Sequence, residues 1–286
     1  MRIGIGLPNP VPGTPGNRLV EWAQRAEERG FSGLATIDRI AYPNYDSLIS
    51  LAAAAAVTSR IGLQTNILLG PIYPAAVLAK AAASIDQISG GRFTLGIAPG
   101  GREDDYTVTG RDFRRRGAEL DAEVELMRRA WRGEPVAGGR QPITPTPTSG
   151  EVPIMFGGSG DKAAQRTARW GVGWTAGGAP PETAAGIAAK VRDAWSQAGR
   201  DGEPRLAALA YFSLGTDAES DSRAYLLDYY EFTGPYAEQI ANGALRTPDA
   251  IQGAVKGFAD AGITELYFDP TVARLDQIDR LADVVL

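Results

Sequence analysis

Four small residues in a row, Gly157-Gly158-Ser159-Gly160, fall where the apolar run Val152 to Phe156 gives way to a helix-forming segment. Glycines let peptide N–H groups approach an anion, Ser159 adds a hydroxyl donor, and the N-terminus of the following helix adds a favourable dipole. That chemistry is phosphate binding; the alternative is a tight strand-to-helix turn. Other apolar runs also close on polar groups: Asp38 and Arg39 after Gly33–Ile37, Asn66 within Ile61–Leu68, and Gly-Gly-Arg-Glu-Asp-Asp-Tyr at 100–106 after Arg92–Ala98. Asp38 is a candidate proton carrier. Arg39 is a permanent cation, unfit as a base, that can stabilise negative charge developing on a bound group. It can equally form a salt bridge to Asp38 or to Glu103, Asp104 or Asp105, and Asn66 can equally cap its own loop.

The absences narrow the chemistry further. The chain has no Cys and no His. That removes disulfides, thiolate nucleophiles and thiolate metal sites, together with the commonest general base and the commonest zinc ligand. The lysines, Lys80, Lys162, Lys190 and Lys256, each fall within or at the start of a helical segment, so a Schiff-base lysine at a strand end is not expected. No metal site is expected, and difficult chemistry is left to a cofactor. Net charge is −5 and Arg114-Arg115-Arg116 is the one dense basic run, which argues against a nucleic-acid partner. Ile61 to Ala79 is uncharged but contains Gln64, Asn66, Pro71 and Pro74, so it reads as strand, loop and helix rather than a bilayer span. With no signal-like start, the expectation is a soluble cytoplasmic protein.

The elements that must position these groups alternate regularly. Strands are expected at Arg2–Leu7, Gly33–Ile37, Ile61–Leu68, Arg92–Ala98, Val152–Phe156, Gly173–Ala176, Arg205–Leu214 and Ile263–Phe268, with helices between them. Eight β–α alternations predict an α/β fold, one (β/α)8 TIM barrel spanning residues 1–286 as a single domain. Functional groups then come from the loops at the carboxyl ends of the strands. The Gly-, Pro- and Thr-rich stretch 133–150 lacks an apolar period and is expected to be an irregular insertion or a lid. Tyr225, Tyr229, Tyr230, Phe232 and Tyr236 either cover the barrel mouth or serve as helix packing or a dimer face.

The block Ile61 to Gly101 runs strand, apolar helix, Ile85-Asp-Gln-Ile-Ser-Gly-Gly-Arg turn, strand. It resembles the core of the bacterial-luciferase-like flavin and deazaflavin oxidoreductases. Arg116-Gly117-Ala118-Glu119-Leu120, Val152-Pro153-Ile154 with the Gly loop, Thr247-Pro248-Asp249 and Ala261-Gly262-Ile263 are similar to further family segments. The resemblance implies an oxidoreductase that holds reduced FMN or the deazaflavin coenzyme F420. The phosphate would lie on Gly157, Gly158, Ser159 and Gly160, and a non-proline cis peptide at Asn66–Ile67 would back the ring. It also implies a homodimer, a small organic substrate and, for FMN chemistry, a separate flavin reductase.

Two departures bear on mechanism. The family's dehydrogenases carry Ser-Asp-His after strand two and a Glu after the strand-four glycines, where this chain has Ile37-Asp38-Arg39 and Gly101. Monooxygenase or reductase chemistry on a flavin is therefore the leading expectation, followed by a deazaflavin-dependent reductase. A non-catalytic flavin-binding protein and a cofactor-independent barrel enzyme using Asp38 with Glu103 complete the alternatives.

Overall fold

The computed structural model describes residues Met1 to Leu286. Its strands are β1 (Arg2–Gly6), β2 (Gly33–Thr36), β3 (Gly62–Thr65), β4 (Leu68–Leu69), β5 (Phe93–Ala98), β6 (Ile154–Gly157), β7 (Gly173–Thr175), β8 (Arg205–Phe212) and β9 (Glu265–Pro270). All pair in parallel, β1 joins β9, and β3 joins β5, so the sheet closes on itself. β3 and β4 form one stave interrupted at Asn66–Ile67, and the result is a closed eight-stave (β/α)8 barrel. The main helices around it are α1 (Gly16–Arg29), α2 (Ser47–Val57), α3 (Ala75–Ser89), α4 (Glu103–Val108), α5 (Arg116–Trp131), α6 (Asp161–Trp170), α7 (Pro181–Gln197), α8 (Ala218–Tyr229), α9 (Tyr236–Asn242), α10 (Pro248–Asp260) and α11 (Asp276–Val285).

Local chemistry sets the helix boundaries. α1 buries Leu19, Trp22, Ala23 and Ala26 at helical spacing and stops at Gly30, whose φ of 91° is left-handed. Asp46 caps α2 by accepting from the Ile49 N–H at 2.7 Å. Thr247 caps α10, with Pro248 at its first position. α4 replaces what sequence reads as a polar loop: Glu103, Asp104 and Asp105 occupy its first turn, where carboxylates complement the helix dipole. No helix is long and apolar enough to cross a membrane.

Strand periodicity separates two cores. Side chains such as Ile5, Leu34, Leu63, Phe93, Leu95, Leu266 and Phe268 turn outward into the large cluster shared with the helices. Their neighbours turn inward and fill the barrel. At the floor, Arg205 donates to both oxygens of Glu265 at 2.7 and 2.8 Å, to Thr94 at 3.1 Å and to Gln64 at 3.2 Å. Above it Ala35, Met155, Ala207 and Tyr267 form a middle layer. The Tyr267 ring occupies the space that a side chain on Gly4 would need.

Residues 133–150 form the irregular excursion, without helix or strand. The excursion runs along α3, not over the mouth. Lys80 donates to the Thr144 carbonyl, Gln87 to that of Thr146, and the Thr148 N–H donates to Asp86. Arg92 is structural: its guanidinium donates to the carbonyls of Ala55, Thr58, Ile61 and Ser89.

The floor network gives a direct test. Glu265→Ala leaves the Arg205 cation without its carboxylate among buried neighbours, and removing one partner of such a pair costs about 3 kcal/mol or more. Urea denaturation should show a loss of that size, with Glu265→Gln intermediate. An unchanged midpoint would mean that the floor does not hold the barrel closed.

Candidate active site

The carboxyl ends of the strands bring the polar loops together. One cavity of about 200 Å3 is lined by Asp38, Asn66, Ile67, Arg102, Gly177 and Tyr211, among others. A second, of about 280 Å3, shares Asn66, Ile67 and Gly177 and continues to Gly157, Gly158 and Ser159. A third, of about 480 Å3 and mostly apolar, shares Gly178, Leu209 and Tyr211 with the first. The three adjoin one another through these shared residues.

Asn66 stands at the centre. Its N–H donates to the Thr36 carbonyl at 2.7 Å, and its Oδ1 accepts from the Thr175 hydroxyl at 2.8 Å. Its Nδ2 is buried without a partner, and the residue lines both polar cavities. The Asn66–Ile67 peptide bond is cis. The Ile67 side chain extends beneath Gly157, where a Cβ would meet Ile67 Cδ1 at 2.6 Å. A side chain there would have to push the end of Ile67 aside.

The loop after β6 is built to present donors. Gly158 has a φ of 117°, a conformation that favours glycine. Its carbonyl accepts from Trp174 Nε1 at 2.8 Å, which ties the loop to a fully buried indole. The N–H groups of Gly158, Ser159 and Gly160 donate to no carbonyl of the protein. They precede α6, whose N-terminal dipole adds to the attraction for an anion.

Asp38 lies deep in the mouth, 3% exposed. Its carboxylate accepts from the Leu69 N–H at 3.0 Å and from the Tyr73 hydroxyl at 3.0 and 3.2 Å. Burial pushes its pKa up, the two hydrogen bonds oppose that, and the balance stands at about 6. Such a group holds or releases a proton near neutral pH.

Arg39 points elsewhere. It pairs with Asp104 at 2.5 Å and Asp105 at 3.3 Å, does not line the mouth cavities, and lies over the Tyr42 ring. Of the partners read from sequence, Asp104 and Asp105 take it, while Asp38 does not. Glu103 is exposed and lines none of the three cavities, so it is not brought to Asp38. The aromatic run divides. Tyr229, Tyr230 and Phe232 line the mouth, Tyr225 packs in the cluster behind Tyr211, and Tyr236 lines the apolar cavity.

Several mouth residues escape sequence reading. Tyr73 and Thr175 matter only through partners across the barrel. Arg102 reads as one more charge in a polar loop. In the structure it is 9% exposed and lies 4.1 Å from the Tyr229 ring centroid and 4.2 Å from that of Phe232.

A closed parallel barrel whose polar groups gather at the carboxyl ends of its strands defines a TIM-barrel protein with a ligand site at the mouth. Within that class, residues 1–277 match the luciferase-like monooxygenase family, and the chain belongs to it. It is 29% identical over 301 residues to the F420-dependent hydroxymycolic acid dehydrogenase of Mycobacterium tuberculosis, covering 92% of this chain and 82% of that one. An F420-dependent secondary alcohol dehydrogenase, solved with an F420-acetone adduct, superposes with a TM-score of 0.84 at 20% identity, covering 99% and 98% of the two chains. The oxygenating constituent of 3,6-diketocamphane monooxygenase from Pseudomonas putida, a type II Baeyer-Villiger monooxygenase solved with FMN, gives a TM-score of 0.72 at 16% identity over 94% and 91%.

The Arg39 cluster predicts its own behaviour. Arg39→Ala leaves Asp105, whose side chain has no exposure, as a buried carboxylate held only by the Ile40 and Ala41 N–H groups. A stability loss of about 3 kcal/mol is expected by chemical denaturation. A loss below ~1 kcal/mol would show that the pair is energetically idle.

Proposed function

We propose that this chain is an oxidoreductase that uses reduced FMN or the deazaflavin coenzyme F420 on a small organic substrate at the barrel mouth. One observation carries the reading. Two adjoining cavities, one lined by Gly158 and Ser159 and the other by Asp38 and Arg102, meet at Asn66, Ile67 and Gly177. The residues fit a phosphorylated, flat, amide-bearing cofactor: Gly157, Gly158, Ser159 and Gly160 hold its phosphate, and Asn66 and Ile67 support its ring system. When bound, either cofactor supplies a hydride, and reduced FMN also reacts with oxygen.

The chain's own residues do the remaining work. Asn66 Nδ2 supplies a fixed hydrogen bond, its orientation set by Thr175. Asp38, kept in a dry pocket beside Tyr73, gives the proton that balances charge on the reduced product. Arg39, held by Asp104 and Asp105, positions the loop that carries Arg102. Tyr229, Tyr230 and Phe232 exclude water from the cavity.

The same reading treats residues 1–286 as one catalytic unit in the cytoplasm, served by a separate flavin reductase if FMN is the cofactor. It also includes a homodimer, supported by exposed Ile49 on α2 and by Val77 and Ile88 on α3.

Anaerobic calorimetry with FMN and F420, each oxidised and reduced, tests the proposal. Micromolar or tighter binding of one of them is expected, and binding of neither overturns it. Tight binding without any turnover would favour a non-catalytic carrier. The phosphate assignment predicts that Ser159→Glu weakens FMN by about tenfold or more and leaves riboflavin unchanged. Equal losses would move the phosphate away from this loop.

The proton assignment predicts a pH profile. Asp38 is active when protonated, so turnover should fall as pH rises through about 6. Asp38→Asn should remove that limb and slow turnover by about 100-fold. A limb that survives the substitution belongs to another group.

A further inference from the structure

Arg102 is a buried cation without a counter-ion. It forms none of the protein's salt bridges, donates none of its hydrogen bonds, and has an Nη1 sealed from water with no partner. Its guanidinium instead lies against the rings of Tyr229 and Phe232, with Tyr230 at 5.6 Å. Aromatic faces hold a cation in place but accept no hydrogen bonds along its planar edge. Arg39 nearby shows the contrast, since Asp104 and Asp105 satisfy it. The acid that lines the mouth with Arg102 is Asp38, whose oxygens are already engaged by Leu69 and Tyr73. An unpaired buried charge is costly unless a ligand completes it.

The free edge of a guanidinium matches a carboxylate in shape and charge. The rest of the cavity selects the body attached to it: Leu69, Leu209, Tyr211, Tyr230 and Phe232 are apolar or aromatic, and the adjoining 480 Å3 cavity extends the same lining. The cofactor phosphate is placed elsewhere, because the cavity lined by Gly158 and Ser159 does not reach Arg102. Building on the function proposed above, we propose that Arg102 binds the carboxylate of the substrate. The enzyme then acts on monocarboxylates with an aromatic or aliphatic body.

Benzoate and benzamide, equal in shape and different in charge, serve as probes by calorimetry on the full chain, with and without FMN or F420. Benzoate should bind at least tenfold more tightly than benzamide. Arg102→Gln should bring the two within about twofold while leaving cofactor affinity and the circular dichroism spectrum unchanged. Phe232→Ala, at a ring that is 54% exposed, keeps the charge and loosens its clamp, so it should weaken benzoate severalfold without endangering the fold. No benzoate binding, no preference over benzamide, or a preference that survives Arg102→Gln overturns the proposal. So does a loss of cofactor affinity in Arg102→Gln, which would assign the cation to the cofactor. Benzoate preference in a protein that binds neither cofactor would support the carboxylate site and remove only the redox reading.

Discussion

Arg205 lies across the floor of the barrel, with its guanidinium on Glu265 of β9, Thr94 of β5 and Gln64 of β3. A half-buried cation bonded on three sides cannot slip by one residue, because a shift would swing it outward among the helices. The pleat repeats every two residues. Anchoring Arg205, Gln64 and Glu265 at the bottom therefore dictates what faces the axis above them. Gln64 leads to Asn66, Glu265 to Tyr267 and Asp269, and Arg205 to Ala207, Leu209 and Tyr211. The mouth inherits its chemistry from the parity set at the floor.

The charges at the mouth are arranged by a similar economy. Two arginines and three aspartates gather in a few loops, and each is given a separate fate. Arg39 is neutralised by Asp104 and Asp105, Asp38 is engaged by the Leu69 N–H and the Tyr73 hydroxyl, and Arg102 is left to aromatic faces. A close Arg102–Asp38 pair would have lowered the carboxyl and occupied the cation together. Their separation keeps a protonatable group and an uncompensated charge available in one cavity.

Much of this was legible in sequence, and the reasons are physical. Alternating apolar runs announce a barrel because parallel strands and their covering helices must each bury a face. Gly157 to Gly160 announces itself as a run of small residues at a strand-to-helix junction, and the φ of Gly158 is one that favours glycine. Asn66 and Asp38 were recognisable from their positions at strand ends. Arg39 left two roles open, and sequence alone could not decide between them because the answer depends on where α4 places Asp104 and Asp105. Arg102 was invisible for the same reason in a stronger form. Its environment is built by Tyr229 and Phe232, which lie far along the chain, and local pattern carries no information about a ring that arrives from another loop. Tyr73 and Thr175 share that origin.

The middle layer has a consequence for access. Tyr267, seated over Gly4 and flanked by Met155, Ala35 and Ala207, stops the bore of the barrel, and the Arg205 network closes it below. The interior thus has a single doorway. A barrel stopped in this way offers no through-passage, so exchange with solvent takes place at the end that carries the polar loops.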